Sequence, residues 1–132
     1  MGVTITPPGP AVVGSGSGAG AASVQEVPLT PASATAAANN AVVLTINGVA
    51  GLTQRLAALS WSYSAAPTAG SITVVVNAVT IVQLDITAAG PGSVPLAQGG
   101  LICQAGQNVV ITLAAAGAAV VGRVNAASYT GP

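Results

Sequence analysis

Val42-Val43-Leu44-Thr45-Ile46-Asn47-Gly48 is the stretch whose reading decides the fold. Val42, Leu44 and Ile46 fall on one side of an extended chain and Val43, Thr45 and Asn47 on the other, because successive side chains of a strand point to opposite faces. Asn47-Gly48 then ends the run, since both residues tolerate the backbone of a tight turn. The same two-residue period recurs along the chain. Ile72, Val74 and Val76 oppose Thr73, Val75 and Asn77; Val82, Leu84 and Ile86 oppose Gln83, Asp85 and Thr87. Val109, Ile111 and Leu113 oppose Val110, Thr112 and Ala114, and Val120, Gly122, Val124 and Ala126 oppose Val121, Arg123 and Asn125. Thr53 to Tyr63 is a longer run, while Val94–Leu96 and Leu101–Cys103 are brief. Turn residues at 65–70, 90–92, 99–100 and 106–108 punctuate these segments.

About eight short strands with a turn roughly every ten residues is the layout of a β-sandwich or barrel. The β-branched content favours strand over helix. Two segments compete with that reading. Thr53 to Leu59 could hold a helical turn, and Ala114 to Ala119 has helix propensity. Gly117 interrupts the second, and the run has no polar face, so a loop between strands is expected there. The expected fold is therefore all-β, an antiparallel β-sandwich over residues 39–132. Without phenylalanine, its core must be built from Val, Ile and Leu.

Residues 1–38 read differently. Pro7, Pro8 and Pro10 exclude helix and strand ladders, and the run at 14–22, GSGSGAGAA, has the composition of a flexible linker. This part is expected to be an extended N-terminal arm, reaching on the order of 120 Å at about 3.3 Å per residue. It has too little apolar surface to order by itself.

Charge narrows the functional classes. Charged residues make up 3% of the 132, against an ordinary share of about 25%. They are Glu26, Arg55, Asp85 and Arg123, with no histidine. Nucleic-acid binding is excluded, because a phosphate footprint needs clustered Lys and Arg. A membrane-surface helix is excluded on the same ground. The longest apolar run, Val109 to Val121, is interrupted and falls short of the ~20 residues of a spanning helix. The first residues carry no basic region followed by an apolar stretch, so no secretory signal is expected. Cys103 stands alone, which rules out an internal disulfide and fits a small buried side chain made in a reducing cytoplasm.

The inventory does not support an enzyme. Without histidine there is no Ser-His or Cys-His arrangement. Glu26, Asp85 and Cys103 are too few for a closed metal site, and no phosphate-binding loop opens a helix. No cofactor is expected. Glu26 and Asp85 could form a glycosidase pair only if the arm folded back onto a strand. The charges read better as contacts. Asp85 and Arg123 both point away from the core face assigned to their strands, so they could pair across neighbouring strands or a subunit boundary. Arg55 is a further interface candidate. Trp61 and Tyr63 share one strand face, where they fill the core or an interface, or else form a stacking platform for sugars. Strands with apolar residues on both faces, such as Val74-Val75-Val76, suggest that outer faces are covered by other subunits.

The segments Ser60-Trp61-Ser62-Tyr63-Ser64-Ala65-Ala66-Pro67, Ile86-Thr87-Ala88-Ala89-Gly90-Pro91 and residues 105–117, followed by Val120-Val121-Gly122-Arg123-Val124-Asn125, resemble small β-rich proteins of tailed bacteriophage virions, the capsid decoration (cement) and head-fibre-type proteins. The resemblance spans about two thirds of the chain and lies in strand-and-turn layout. It implies a jelly-roll-like sandwich, trimeric, bound to the outer surface of the virion after synthesis in the host cytoplasm. Its partner there would be the major capsid protein. It supplies no catalytic residue. A glycan- or receptor-binding module of a phage head or tail fibre is the alternative, and it requires Trp61 or Tyr63 to be exposed in a groove.

Overall fold

A computed structural model describes residues 29–96 and 100–131. The described chain is all-β and forms two antiparallel sheets. In chain order the strands are β1 (Thr30–Thr35), β2 (Val42–Ile46), β3 (Thr53–Tyr63), β4 (Gly70–Val76), β5 (Val79–Ile86), β6 (Gly90–Ser93), β7 (Leu101–Ile102), β8 (Val109–Leu113) and β9 (Gly122–Gly131). One sheet has the order β1-β9-β3-β6, with β7 also on β3; the other has the order β2-β8-β4-β5.

The alternating residues meet in one core. In the four-stranded sheet, directly paired residues share a face, and three rows run across its inner side: Val42-Leu113-Ile72-Leu84, Leu44-Ile111-Val74-Val82 and Ile46-Val109-Val76-Val79. The other sheet contributes Leu56, Leu59, Tyr63, Val124 and Ala126. The outer face of the four-stranded sheet alternates Val with Thr and Gln, in the rows Val43-Thr112-Thr73-Gln83 and Thr45-Val110-Val75-Thr80. The outer face of the other sheet carries Ser33, Asn125 and Ser60 in one row and Thr35, Arg123 and Ser62 in the next. Hydroxyls and amides thus supply five of the eight residues in these two rows of the four-stranded sheet, and Val43, Val75 and Val110 leave the rest of that face apolar, as the sequence suggested. The polar groups satisfy water by hydrogen bonding where charge is missing.

Several sequence expectations change. Residues 30–35, assigned to the arm, form β1, which pairs with β9 from Thr30↔Ser128 to Thr35↔Arg123. Pro31 is tolerated because β1 is an edge strand. The rest of the expected arm, residues 1–28, lies outside the described residues. Thr53–Leu59 contains no helical turn; it belongs to the eleven-residue β3. Gly90-Pro91-Gly92, read as a chain break, is strand β6 on the edge of β3. Val94 and Leu96, read as a strand, are not one, although both pack against the core.

A β-bulge in β3 sets the faces. Leu56 pairs with Ser128 and Ala58 with Ala127, which leaves Ala57 as the extra residue. Strict alternation would put Leu56 and Leu59 on opposite faces. The bulge turns both inward, and both are fully buried. Leaving either in water would forgo about 1.5–3 kcal/mol.

Candidate interaction surface

Three inner rows of the four-stranded sheet end on β5, and there they run out of cover. Ile72 and Val76 are buried, yet their row partners Leu84 and Val79 are 41% and 59% exposed. Among the described residues, the strands of the other sheet on this side are the four-residue β6 and the two-residue β7. Ile81, 40% exposed, is the extra residue of a second bulge, between Val74↔Val82 and Val75↔Thr80. Ile102 on β7 is 62% exposed. Between these elements runs a shallow groove of about 260 Å³, lined by Val76, Val79, Ile81, Ile102, Cys103 and Gln104.

Edge strands invite pairing with another chain unless proline, charge or cover blunts them. β1 carries Pro31 and β6 carries Pro91. The β2 edge packs beside β1 on the closed side of the molecule. β5 has eight residues, no proline and one charge, Asp85. Its bulge and Asp85 are the protective devices it retains. The connection that creates it is a two-residue turn, Asn77-Ala78, with both residues at positive φ (49° and 62°). Such turns match the twist of a hairpin. The sequence reading began this strand at Val82 and missed the turn, because Ala78 stands where glycine is the usual signal.

The candidate contact residues are dispersed. Asp85 pairs with Ser71 on the outer side of the four-stranded sheet, and Arg123 pairs with Ser62 on the outer side of the other. They therefore do not sit on neighbouring strands, and within one subunit their faces point away from each other. Arg55 lies on the outer side of β3 between Tyr129 of β9 and Ile102 of β7, half-buried. Glu26 lies outside the described residues.

Trp61 and Tyr63 do share a face, and it is the inner one. Tyr63 is 2% exposed and its hydroxyl donates to the carbonyl of Ala114 at 2.7 Å, tying β3 to the segment after β8. Burial pushes the Tyr63 phenol above its ordinary value of 10.0, and a backbone hydrogen bond with Ser71 offsets part of the rise. Trp61 packs against the core and over Gly92, its cross-strand partner, so closely that a Cβ on Gly92 would lie 2.5 Å from Cζ2 of the indole. Tyr63 is thus closed off from solvent, while Trp61 is partly buried.

Cys103 is buried, and burial raises its thiol above the ordinary 9.0, against a smaller lowering by a backbone hydrogen bond with Leu56. Among the described residues, no three His, Cys, Asp or Glu side chains come together as a metal-ligand group. No helix among them is long and apolar enough to cross a membrane.

Among the described residues, fold and surface together define a class: a small all-β module with few charges and an apolar edge exposed along β5. Comparison with models of known protein families and with curated proteins finds no match to this chain.

Proposed function

We propose that the chain is a structural module of a bacteriophage virion. It would associate with copies of itself and decorate the outer capsid surface by docking on the major capsid protein. The single observation that carries this reading is the β5 edge: an apolar strand without proline or basic residue, on a chain with four charges in all. Near-zero charge gives little repulsion between copies, and an open strand edge supplies directional backbone bonds for contact. The module is read as binding rather than catalytic, in keeping with the absence of histidine.

The proposal includes a jelly-roll topology. Its support is the strand order: setting aside the two-residue β7, the sheets read β1-β9-β3-β6 and β2-β8-β4-β5. Consecutive strands β1 to β2 and β3 to β4 cross between the sheets, and β8 to β9 crosses back, as two nested Greek keys require. A trimer is favoured by the resemblance to decoration proteins. A three-fold ring needs a head-to-tail contact, in which β5 of one copy meets a different surface of the next.

Light scattering on the purified full chain, alone and as the Ile81→Lys/Leu84→Lys variant, tests the reading. The expected result is a mass several times that of one chain, falling to one chain in the variant while far-ultraviolet circular dichroism stays that of a β protein. A wild-type chain that remains monomeric at high concentration would sink the self-association reading. Failure of the wild-type oligomer to decorate purified capsids would sink the docking role.

A further inference from the structure

The two buried polar side chains of the described core, Gln54 and Ser128, are 4% and 3% exposed and line the same cavity. It lies at the end of the sandwich away from β6, has a volume of about 530 Å³, and is half enclosed. On one side the inner face of the β1-β9-β3 sheet changes character. After Val124 and Ala126, β9 continues inward with Ser128 and Thr130, while Thr30 of β1 pairs with Ser128 and Gln54 of β3 pairs with Thr130. On the other side stand Ile46, at the end of β2, and Val49.

The fold uses only part of this polar patch's hydrogen-bonding capacity. Gln54 Nε2 donates to Ser128 Oγ at 3.3 Å, but Gln54 Oε1 is buried with no hydrogen-bond partner. Native interiors rarely leave an amide acceptor unpaired, and such a group ordinarily marks a missing polar partner. An apolar pair would close this end of the core without that penalty. The last torsion of glutamine is broad, so a small turn presents Oε1 to a donor in the cavity.

We infer that this cavity is a binding site for a neutral, compact polyhydroxylated ligand, a sugar unit in chemical class. Among the described residues that line it there is no Asp, Glu, Lys or Arg, so these residues offer a charged ligand no counter-ion. Hydroxyls and an amide provide donors and acceptors on one wall, while Ile46 and Val49, with Asn47 between them, give the facing wall apolar surface beside one further amide, a mixture that suits the polar edge and apolar face of a pyranose. The volume falls in the range of small-ligand pockets, about 300–1,000 Å³. The site shares no lining residue with the groove along β5, and Trp61 does not line it.

The test is a titration of the isotope-labelled full chain with D-glucose, D-galactose, N-acetyl-D-glucosamine and their β-linked disaccharides, followed by amide NMR. At least one sugar is expected to give saturable shifts of the Gln54 side-chain amide and of the Ser128 and Thr130 backbone amides, with a Kd on the order of 1 mM or tighter. Saturation by disaccharides alone identifies a glycan chain as the source, and saturation by monosaccharides a free sugar. Gln54→Leu should weaken that binding at least tenfold while leaving the melting temperature unchanged or higher. Thr130→Val, at an exposed position, gives the second reading should Gln54→Leu misfold. The inference is overturned if no sugar gives saturable shifts at these amides, or if both variants bind as the wild type does.

Discussion

Replacing Gly92 by alanine places a methyl group where the indole of Trp61 already stands. The added Cβ would lie 2.5 Å from Cζ2 and 2.6 Å from Cε2, whereas packed carbons rest at about 3.5–4.0 Å. Roughly 1 Å must therefore be found, either by turning the indole off its bed or by swinging β6 away from β3. Over-packing of this kind costs about 1–3 kcal/mol. Alanine also restricts the unfolded chain more than glycine does, which returns about 0.4–1 kcal/mol. The net expectation is a loss of about 1–2 kcal/mol, or a melting temperature lower by roughly 5–15 °C in a domain of this size. Trp61 is the single tryptophan, so urea unfolding followed by its fluorescence reads stability and the indole environment in one experiment. Gly92→Ala should red-shift the native emission. Gly90→Ala is the control: its φ of 88° makes alanine strained, at about 1–2 kcal/mol, yet its Cβ would meet nothing within 4 Å. It should destabilise without moving the emission. Wild-type stability and wild-type emission in Gly92→Ala would refute the packing of Trp61 on β6.

Tyr63→Phe removes the hydrogen bond to Ala114 and should cost about 1–2 kcal/mol, read as a lower urea midpoint at unchanged slope. Because burial raises the folded-state pKa of Tyr63 above 10.0, its contribution is complete below pH 10 and is lost as pH rises through the raised value. Stability against pH should therefore fall more gently above pH 10 in Tyr63→Phe than in the wild type. The decline that begins near pH 9 from the buried Cys103 thiol should remain. Ala78→Gly relieves an L-residue held at φ 62°, worth about 1–2 kcal/mol. Less the entropy glycine adds to the unfolded chain, it should stabilise by about 0.5–1 kcal/mol in the same assay; a loss of stability would contradict the turn. Deleting residues 1–28 leaves every described strand in place and should preserve the thermal transition. Deleting residues 1–38 strips β1 from β9 and should lower it, and equal transitions for the two truncations would mean that β1 contributes nothing to the sheet.

Composition and period carried the fold class. Alternation alone places Val42, Leu44, Ile72, Val74, Val76, Val109, Ile111, Leu113 and Val124 on core faces, and all are buried. Alternation can do so because a strand's side-chain direction is fixed by its own backbone. Scarcity of charge likewise limited the function classes without any coordinates. What depended on neighbours could not be read that way. Leu84 and Ile72 carry the same local signal, but one is exposed and the other buried, because cover comes from the opposite sheet. The inward turn of both Leu56 and Leu59 needed a bulge at Ala57 that no local preference announces. Pro31 and Gly90-Pro91-Gly92 argued against strands, and both became edge strands where the missing donor faces no partner. The cavity around Gln54 joins residues from β1, β2, β3 and β9, including a pair 74 positions apart. Such a site exists only once the sheets have stacked, because its walls are the inner faces of both.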